Sequence, residues 1–321
     1  MLALPLLAGL LGLPPGVGAV QIHGTDPAAF VSTTTSSGTP LRWANSCVFL
    51  RPSSDGTTDL TPEQIAAAIA IAKDAWPSAS AGCGYLKFIV EDPEPGGDVG
   101  LDYVNRIVFR EQSWPHDAAA TAITSLFFID TPGHPDDGII LDGDIEMNAV
   151  DFAFGACAAA GTCTTSGTGV VEDLANTLVH ELGHLSGLEH SCWSGVGSQP
   201  VDDQGQPVPA CSPASALPPS ILDSTMYAFQ DPMEIKKRTP EADDVAGFCK
   251  KYPVASDPGA CVRVPEPPGD PGGGQPFDPG ACGCRANDSG SMLLGLLVAL
   301  SVMAGRKYSV RTRVARARSR G

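Results

Sequence analysis

HELGHLSGLEH, residues 180–190, places three of the chain's six histidines and one glutamate within eleven residues. Upstream, VVEDLANTLVHELGHL reads as a helix from about Val170 to Leu185. Val171, Leu174, Leu178, Leu182 and Leu185 form its apolar stripe. His180 and His184, four apart, project from one side of that helix, one turn above the other. Glu181 stands beside them. This is the zinc arrangement HExxH, a short pattern that chance also produces on exposed helices. Gly187 follows at the point where the helix must turn. Glycine accepts the left-handed conformation that such a stop requires. The turn can return His190 as a third ligand. Three neutral imidazoles would leave the fourth tetrahedral position of Zn2+ for water, whose pKa zinc lowers to about 7. Glu181 is then the general base that takes its proton and passes it to a leaving amine.

The stretch fits the pattern H-E-x-x-H-x-x-G-x-x-H at every fixed position, and so resembles the metzincin zinc proteases. The resemblance implies a tight turn with a methionine beneath the metal. DSTMYAF, residues 223–229, supplies Met226, followed directly by Tyr227, which could help hold an oxyanion. TPEADDVAGFCKKYP resembles the closing helix of the matrixin branch. Thr239 and Pro240 would open it as cap and first residue. Asp243 is expected to bond near the methionine turn. The implied fold class is α+β: a mixed twisted sheet with an active-site helix, a Met-turn and a C-terminal helix. The resemblance covers roughly residues 41–253, densely only 171–252. No cysteine-bearing propeptide motif of the vertebrate matrixin kind precedes it. The preferred side chain should be set by AFQDPMEIKKR, residues 228–238.

LTPEQIAAAIAIAKDAW carries its own helix signals. Thr61 is a cap, Pro62 the first helical residue, and Gln64 completes a capping box. Ile65, Ala68, Ile69, Ala72 and Trp76 fall on one face. A first strand is expected around Val48 and Leu50, with others at 86–91, 105–110, 125–130 and 138–148. DIEMN, 144–148, is expected on the edge strand above the cleft, where an extended peptide could add by main-chain hydrogen bonds. His116 and His134 read as loop residues rather than ligands of a second zinc. Ca2+ at Asp136, Asp137, Asp142 or Asp144 is weighed against plain solvated acids, since no EF-hand loop is present.

The 321 residues, 43% apolar, suffice for a sizeable core. Ten cysteines point to an oxidising compartment. Residues 1–19 read as a signal peptide ending in Val17-Gly18-Ala19, although no basic residue precedes its apolar part. Residues 20–40 read as a flexible lead-in, 41–257 as the protease domain, and 258–281 as a Pro/Gly linker. Residues 282–321 combine a CGC, a short apolar run and an arginine-rich end. They resemble a myxobacterial-type C-terminal sorting tag, which implies transient anchoring with the basic tail in the cytoplasm, then processing and surface attachment. An ordinary tail anchor is the other reading. The eight cysteines before the CGC allow 105 pairings. Neighbour pairing is the simplest: Cys47–Cys83, Cys157–Cys163, Cys192–Cys211 and Cys249–Cys261.

Residues 306–321 hold seven positive charges and no acid, so the remainder stands at −23 against the total of −16. An acidic body argues against nucleic acid as a partner. A protein or peptide substrate, the cell envelope reached through the tag, and a monomeric state are expected. The rival function is a zinc-stabilised surface binding module without catalysis.

Overall fold

A computed structural model describes residues 29–195, 197–264 and 310–319. The leader at 1–19 and the CGC with its apolar run lie outside these residues. Among them, no helix is long and apolar enough to cross a membrane.

The first helix, α1 (Pro62–Ala79), forms as its sequence dictates. The Thr61 hydroxyl accepts from the Gln64 N–H at 3.3 Å and the Gln64 side chain accepts from the Thr61 N–H at 2.8 Å, closing the capping box. Such a cap is worth about 1 kcal/mol. Ile65, Ala68, Ile69, Ala72 and Trp76 are all buried, and the helix runs three residues past Trp76.

The strands β1 (Cys47–Pro52), β2 (Lys87–Val90), β3 (Asn105–Arg110), β4 (Ala120–Ile129) and β5 (Ile140–Asn148) make a mixed sheet in the order β2-β1-β3-β5-β4. All neighbours are parallel except β4, which is antiparallel to β5. The fold is thus α+β with a twisted mixed sheet, as expected. A smaller sheet holds β6 (Ala153–Ala159) between β7 (Thr162–Thr164) and β8 (Val171–Asp173).

DIEMN is not on an edge. It lies in β5, hydrogen-bonded on both sides, and β4 stands beyond it. Its alternation of acid and apolar residues suggests a solvated face, yet Asp142, Asp144 and Glu146 are buried. The 100–106 segment crosses over them and its N–H groups need acceptors. Asp142 Oδ2 accepts from Asp102 and Tyr103, both at 2.7 Å. Asp144 accepts from Gly100 at 3.0 Å and Arg106 at 2.9 Å. Asp137 accepts from the hydroxyls of Thr35 and Ser37 and from the Thr131 N–H. These acids are structural acceptors, not solvated loop residues.

The second helix, α2 (Leu174–Leu185), starts later than its sequence suggests, because 171–173 is extended in β8. Asp173 caps it, accepting from the Asn176 N–H at 2.7 Å. All twelve residues of α2 are buried, not only the apolar stripe. The reading of HExxH as an exposed helix face is therefore excluded. Trp76 Nε1 donates to the Val179 carbonyl at 2.8 Å and Trp43 Nε1 to that of Leu185 at 2.7 Å. The Tyr252 hydroxyl donates to the Ser186 carbonyl at 2.9 Å.

The short α3 (Pro219–Leu222) precedes the methionine turn, and β9 (Phe229–Gln230) follows it. The closing helix α4 is Ala242–Lys251, two residues later than Thr239 and Pro240 suggest. Its N-cap residue, Glu241, donates its N–H to Thr225 Oγ1 at 3.1 Å. Phe248 of α4 stacks on Trp76 at 5.4 Å between ring centroids.

Residues 29–40 do not form a flexible lead-in. The Thr33 N–H donates to the Gly187 carbonyl and the Glu189 N–H to that of Val31, both at 2.9 Å, and Phe30 packs in the core. Small Ser and Thr side chains there read as disorder, but they pair locally and with Asp130 and Asp137.

Two of the four neighbour pairings of cysteine hold, Cys157–Cys163 and Cys192–Cys211. The other four cysteines pair across the molecule, Cys47–Cys261 and Cys83–Cys249. The closing helix returns beside α1 and the chain after it reaches the start of β1, so Cys249 and Cys261 meet partners more than 160 residues away in sequence. Four disulfides fit an exported protein.

Residues 310–319 form a last strand, β10 (Val310–Ser319), antiparallel to β4 and parallel to β9. This places residues 310–319 of the arginine-rich tail beside β4 in the main sheet.

Candidate metal centre

His180, His184 and His190 come together as a group able to hold a metal ion; no other such group of three occurs among the described residues. His190 Nε2 lies 3.3 Å from His180 Nε2 and 3.1 Å from His184 Nε2. Nitrogens about 2.0–2.1 Å from a tetrahedral zinc stand about 3.3 Å apart, so the spacing suits that ion. The orientation of the rings agrees. His180 Nδ1 donates to the Thr225 carbonyl at 2.6 Å, and His184 Nδ1 to the Leu188 carbonyl at 2.9 Å. A carbonyl only accepts, so each Nδ1 carries the proton and each Nε2 keeps its lone pair for the shared centre.

Electrostatics favour the neutral rings that a metal requires. Burial, with Lys237 and the other two histidines nearby, pushes the His180 pKa well below its ordinary value. Burial also lowers that of His184. His190 is the most accessible of the three, with 11% of its side chain exposed.

Gly187 adopts φ +81°, the left-handed turn expected of it. A Cβ there would meet the Leu41 carbonyl oxygen at 2.5 Å, which leaves glycine the sole fit. Its N–H donates to the His184 carbonyl at 2.8 Å, and the chain then runs back to His190.

Met226 is buried in the main core beneath α2. A Cβ on Gly183 would lie 2.3 Å from its sulfur, so helix and methionine turn meet at a glycine. The Met226 carbonyl accepts from the Ser191 N–H at 3.0 Å, tying the turn to the residue after His190. Tyr227 is buried with Cys192, Cys211, Leu217 and Ala228, its ring 5.8 Å from that of Phe229.

Glu181 is fully buried, and its Oε2 accepts from the Thr124 hydroxyl of β4 at 2.5 Å. Sequence reasoning missed Thr124, since nothing local marks it. It also missed Lys237, whose Nζ is buried and donates to the Tyr227 carbonyl at 2.6 Å. Burial lowers the Lys237 pKa to about 8. At the turn itself, Asp244 Oδ2 accepts from the Thr225 N–H at 2.6 Å, and Asp244 Oδ1 from the Ser224 hydroxyl at 3.0 Å. The sequence points instead to its neighbour Asp243, whose carboxyl also interacts with Ser224 of the turn. Gln230 completes the frame, donating to Glu172 and Thr177, both at 3.0 Å. The 228–238 stretch is thereby fixed to the first half of α2.

Neither His116 nor His134 joins a metal group. His116 Nε2 pairs with Glu146 at 3.1 Å, and His134 Nδ1 accepts from the Asp136 N–H at 3.2 Å. The acids weighed for calcium do not converge into such a group either.

The chain matches no protein-family model. Over an alignment of 133 positions that covers 35% of the chain, it is 29% identical to a human protein, a disintegrin and metalloproteinase with thrombospondin motifs 13. It spans about a tenth of that relative, 9% of its length. A distant likeness to a metalloproteinase and a histidine triad suited to zinc thus agree.

Proposed function

We propose that the protein is a zinc-dependent endopeptidase of the metzincin kind. The observation that carries this reading is the convergence of three Nε2 atoms, two with Nδ1 tied to backbone carbonyls, next to a buried glutamate. Zinc held there would act as a Lewis acid on the scissile carbonyl and lower the pKa of its bound water to about 7. Glu181 would receive the proton of the attacking water and deliver it to the leaving nitrogen. Thr124 keeps that carboxylate in place. Tyr227 and the 228–238 wall would orient the substrate. Placement in the matrixin branch rests on the 239–253 resemblance alone, and the relative is named otherwise, so the proposal stands at the metzincin level.

The substrate is an extended protein or peptide segment. An acidic body disfavours nucleic acid, and we take the protein to act as a monomer. Four disulfides, together with the sequence at 1–19, support export, and the CGC with the apolar run that follows it supports attachment to the cell envelope.

Cleavage of casein by the wild type and by Glu181→Ala, each with and without chelator, tests the chemistry. Zinc content is measured alongside. The wild type should cleave only with metal, and Glu181→Ala should keep zinc and lose cleavage. Equal cleavage by both proteins would refute the role given to Glu181. Zinc bound with no cleavage by either would favour the binding module.

A further inference from the structure

The edge of the sheet beside the histidine cluster is already filled by this chain. We propose that residues 310–319 are a built-in occupant of the peptide-binding cleft and hold the enzyme closed; this rests on the peptidase reading above.

Three placements carry the inference. First, β10 runs antiparallel along nearly all of β4, with Ile129 opposite Val310 and Ala122 opposite Ala317. Ala315 pairs with Thr124, whose hydroxyl holds Glu181. Paired Cα atoms lie only about 4.5–5.5 Å apart, so β10 runs directly beside the position on β4 that anchors the base. Second, the other side of β10 meets β9, with Arg318 opposite Phe229 and Ser319 opposite Gln230. β9 begins three residues after Met226. The strand therefore bridges the two walls of the cleft, β4 above and the segment after the methionine turn below. Third, β10 also contacts α2, the helix carrying His180 and His184. An incoming extended peptide would need the same hydrogen-bonding edge of β4, and two strands cannot share it.

Charge and reach agree. The tail is basic and the rest of the chain carries −23, so the two attract. Forty-five residues separate Val264 from Val310, enough to cross a domain of this size at about 3.3–3.6 Å per residue when extended.

The test uses the full chain and a full-chain Val314→Pro/Ala315→Pro variant. Successive N–H groups of a strand point to opposite sides, so one of the two prolines removes a donor facing β4. Amide exchange over residues 120–129 and casein cleavage are both measured. Expected are β4 amides that exchange at least tenfold faster in the variant, and cleavage at least tenfold faster. A synthetic peptide of residues 310–319 should restore both toward the wild type. Equal exchange in the two proteins would overturn the docking. Faster exchange with equal, measurable cleavage would overturn the closure. Exchange needs no catalysis, so faster exchange with no cleavage by either protein leaves the docking standing and counts against the peptidase reading.

Discussion

The Thr124 hydroxyl stands 2.5 Å from Glu181 Oε2, joining the last strand of the original five-stranded sheet to the helix that carries the histidines. The contact fixes a buried carboxylate that the proposed chemistry needs in one orientation. Thr124→Val keeps the shape and removes the donor. We expect kcat to fall about tenfold, equal to about 1.4 kcal/mol, with KM and zinc content unchanged. Steady-state kinetics with zinc analysis checks this, and Thr124→Ser should recover most of the rate. An unchanged kcat in the valine variant would remove Thr124 from the machinery.

Gly183 lies where α2 touches the Met226 sulfur and the Trp76 ring. Alanine is worth about 1 kcal/mol over glycine inside a helix. Here an added methyl would sit 2.3 Å from that sulfur and 2.8 Å from Trp76, and overpacking costs about 1–3 kcal/mol. The net effect of Gly183→Ala should be destabilising, by up to about 2 kcal/mol. Urea unfolding measures it, and chelator should strip zinc from the variant faster.

Asp244 holds the turn before Met226. Asp244→Ala leaves the Thr225 N–H and the Ser224 hydroxyl buried without this acceptor, at about 1–3 kcal/mol each. A loss of about 2–6 kcal/mol is expected by denaturant titration. Asp244→Asn, which retains one acceptor oxygen, should lose less.

Burial, and then the neighbouring Asp142, push the Asp144 pKa to about 8. The unfolded chain binds that proton only below about pH 4. Between these values the folded state carries more protons than the unfolded one, so stability falls as pH rises. The contribution is complete below about pH 4 and gone above about pH 8. Unfolding free energies at pH 5 and pH 8 should show this slope, and Asp144→Asn should flatten it. A wild-type slope of the opposite sign would show that other groups dominate.

What the sequence disclosed and what it hid separate on physical grounds. His180, Glu181, His184 and Gly187 are legible because one helical turn sets their relations, whatever surrounds them. The Thr61 cap and the buried face of α1 are legible for the same reason. Met226 is legible through its order after the third histidine. Thr124 lies 57 residues before Glu181, and only the register of β4 against α2 brings them together. The choice between Asp243 and Asp244 turns on about a third of a helical turn, finer than a motif specifies. Cys47 and Cys83 find distant partners because chain topology, not spacing, decides proximity. The tail from 310 to 319 reads as the arginine-rich end of a sorting tag, and its strand exists only against the edge of β4.

The Cys47–Cys261 bond ties the chain ten residues past the closing helix to the first residue of β1, reinforced by the Ser46 N–H donating to the Ala260 carbonyl at 2.9 Å. A pull on the polypeptide past Val264 therefore loads a covalent clasp and the parallel core strands behind it. Mechanical tension from any tether on that side is diverted from the closing helix and the turn that supports Met226.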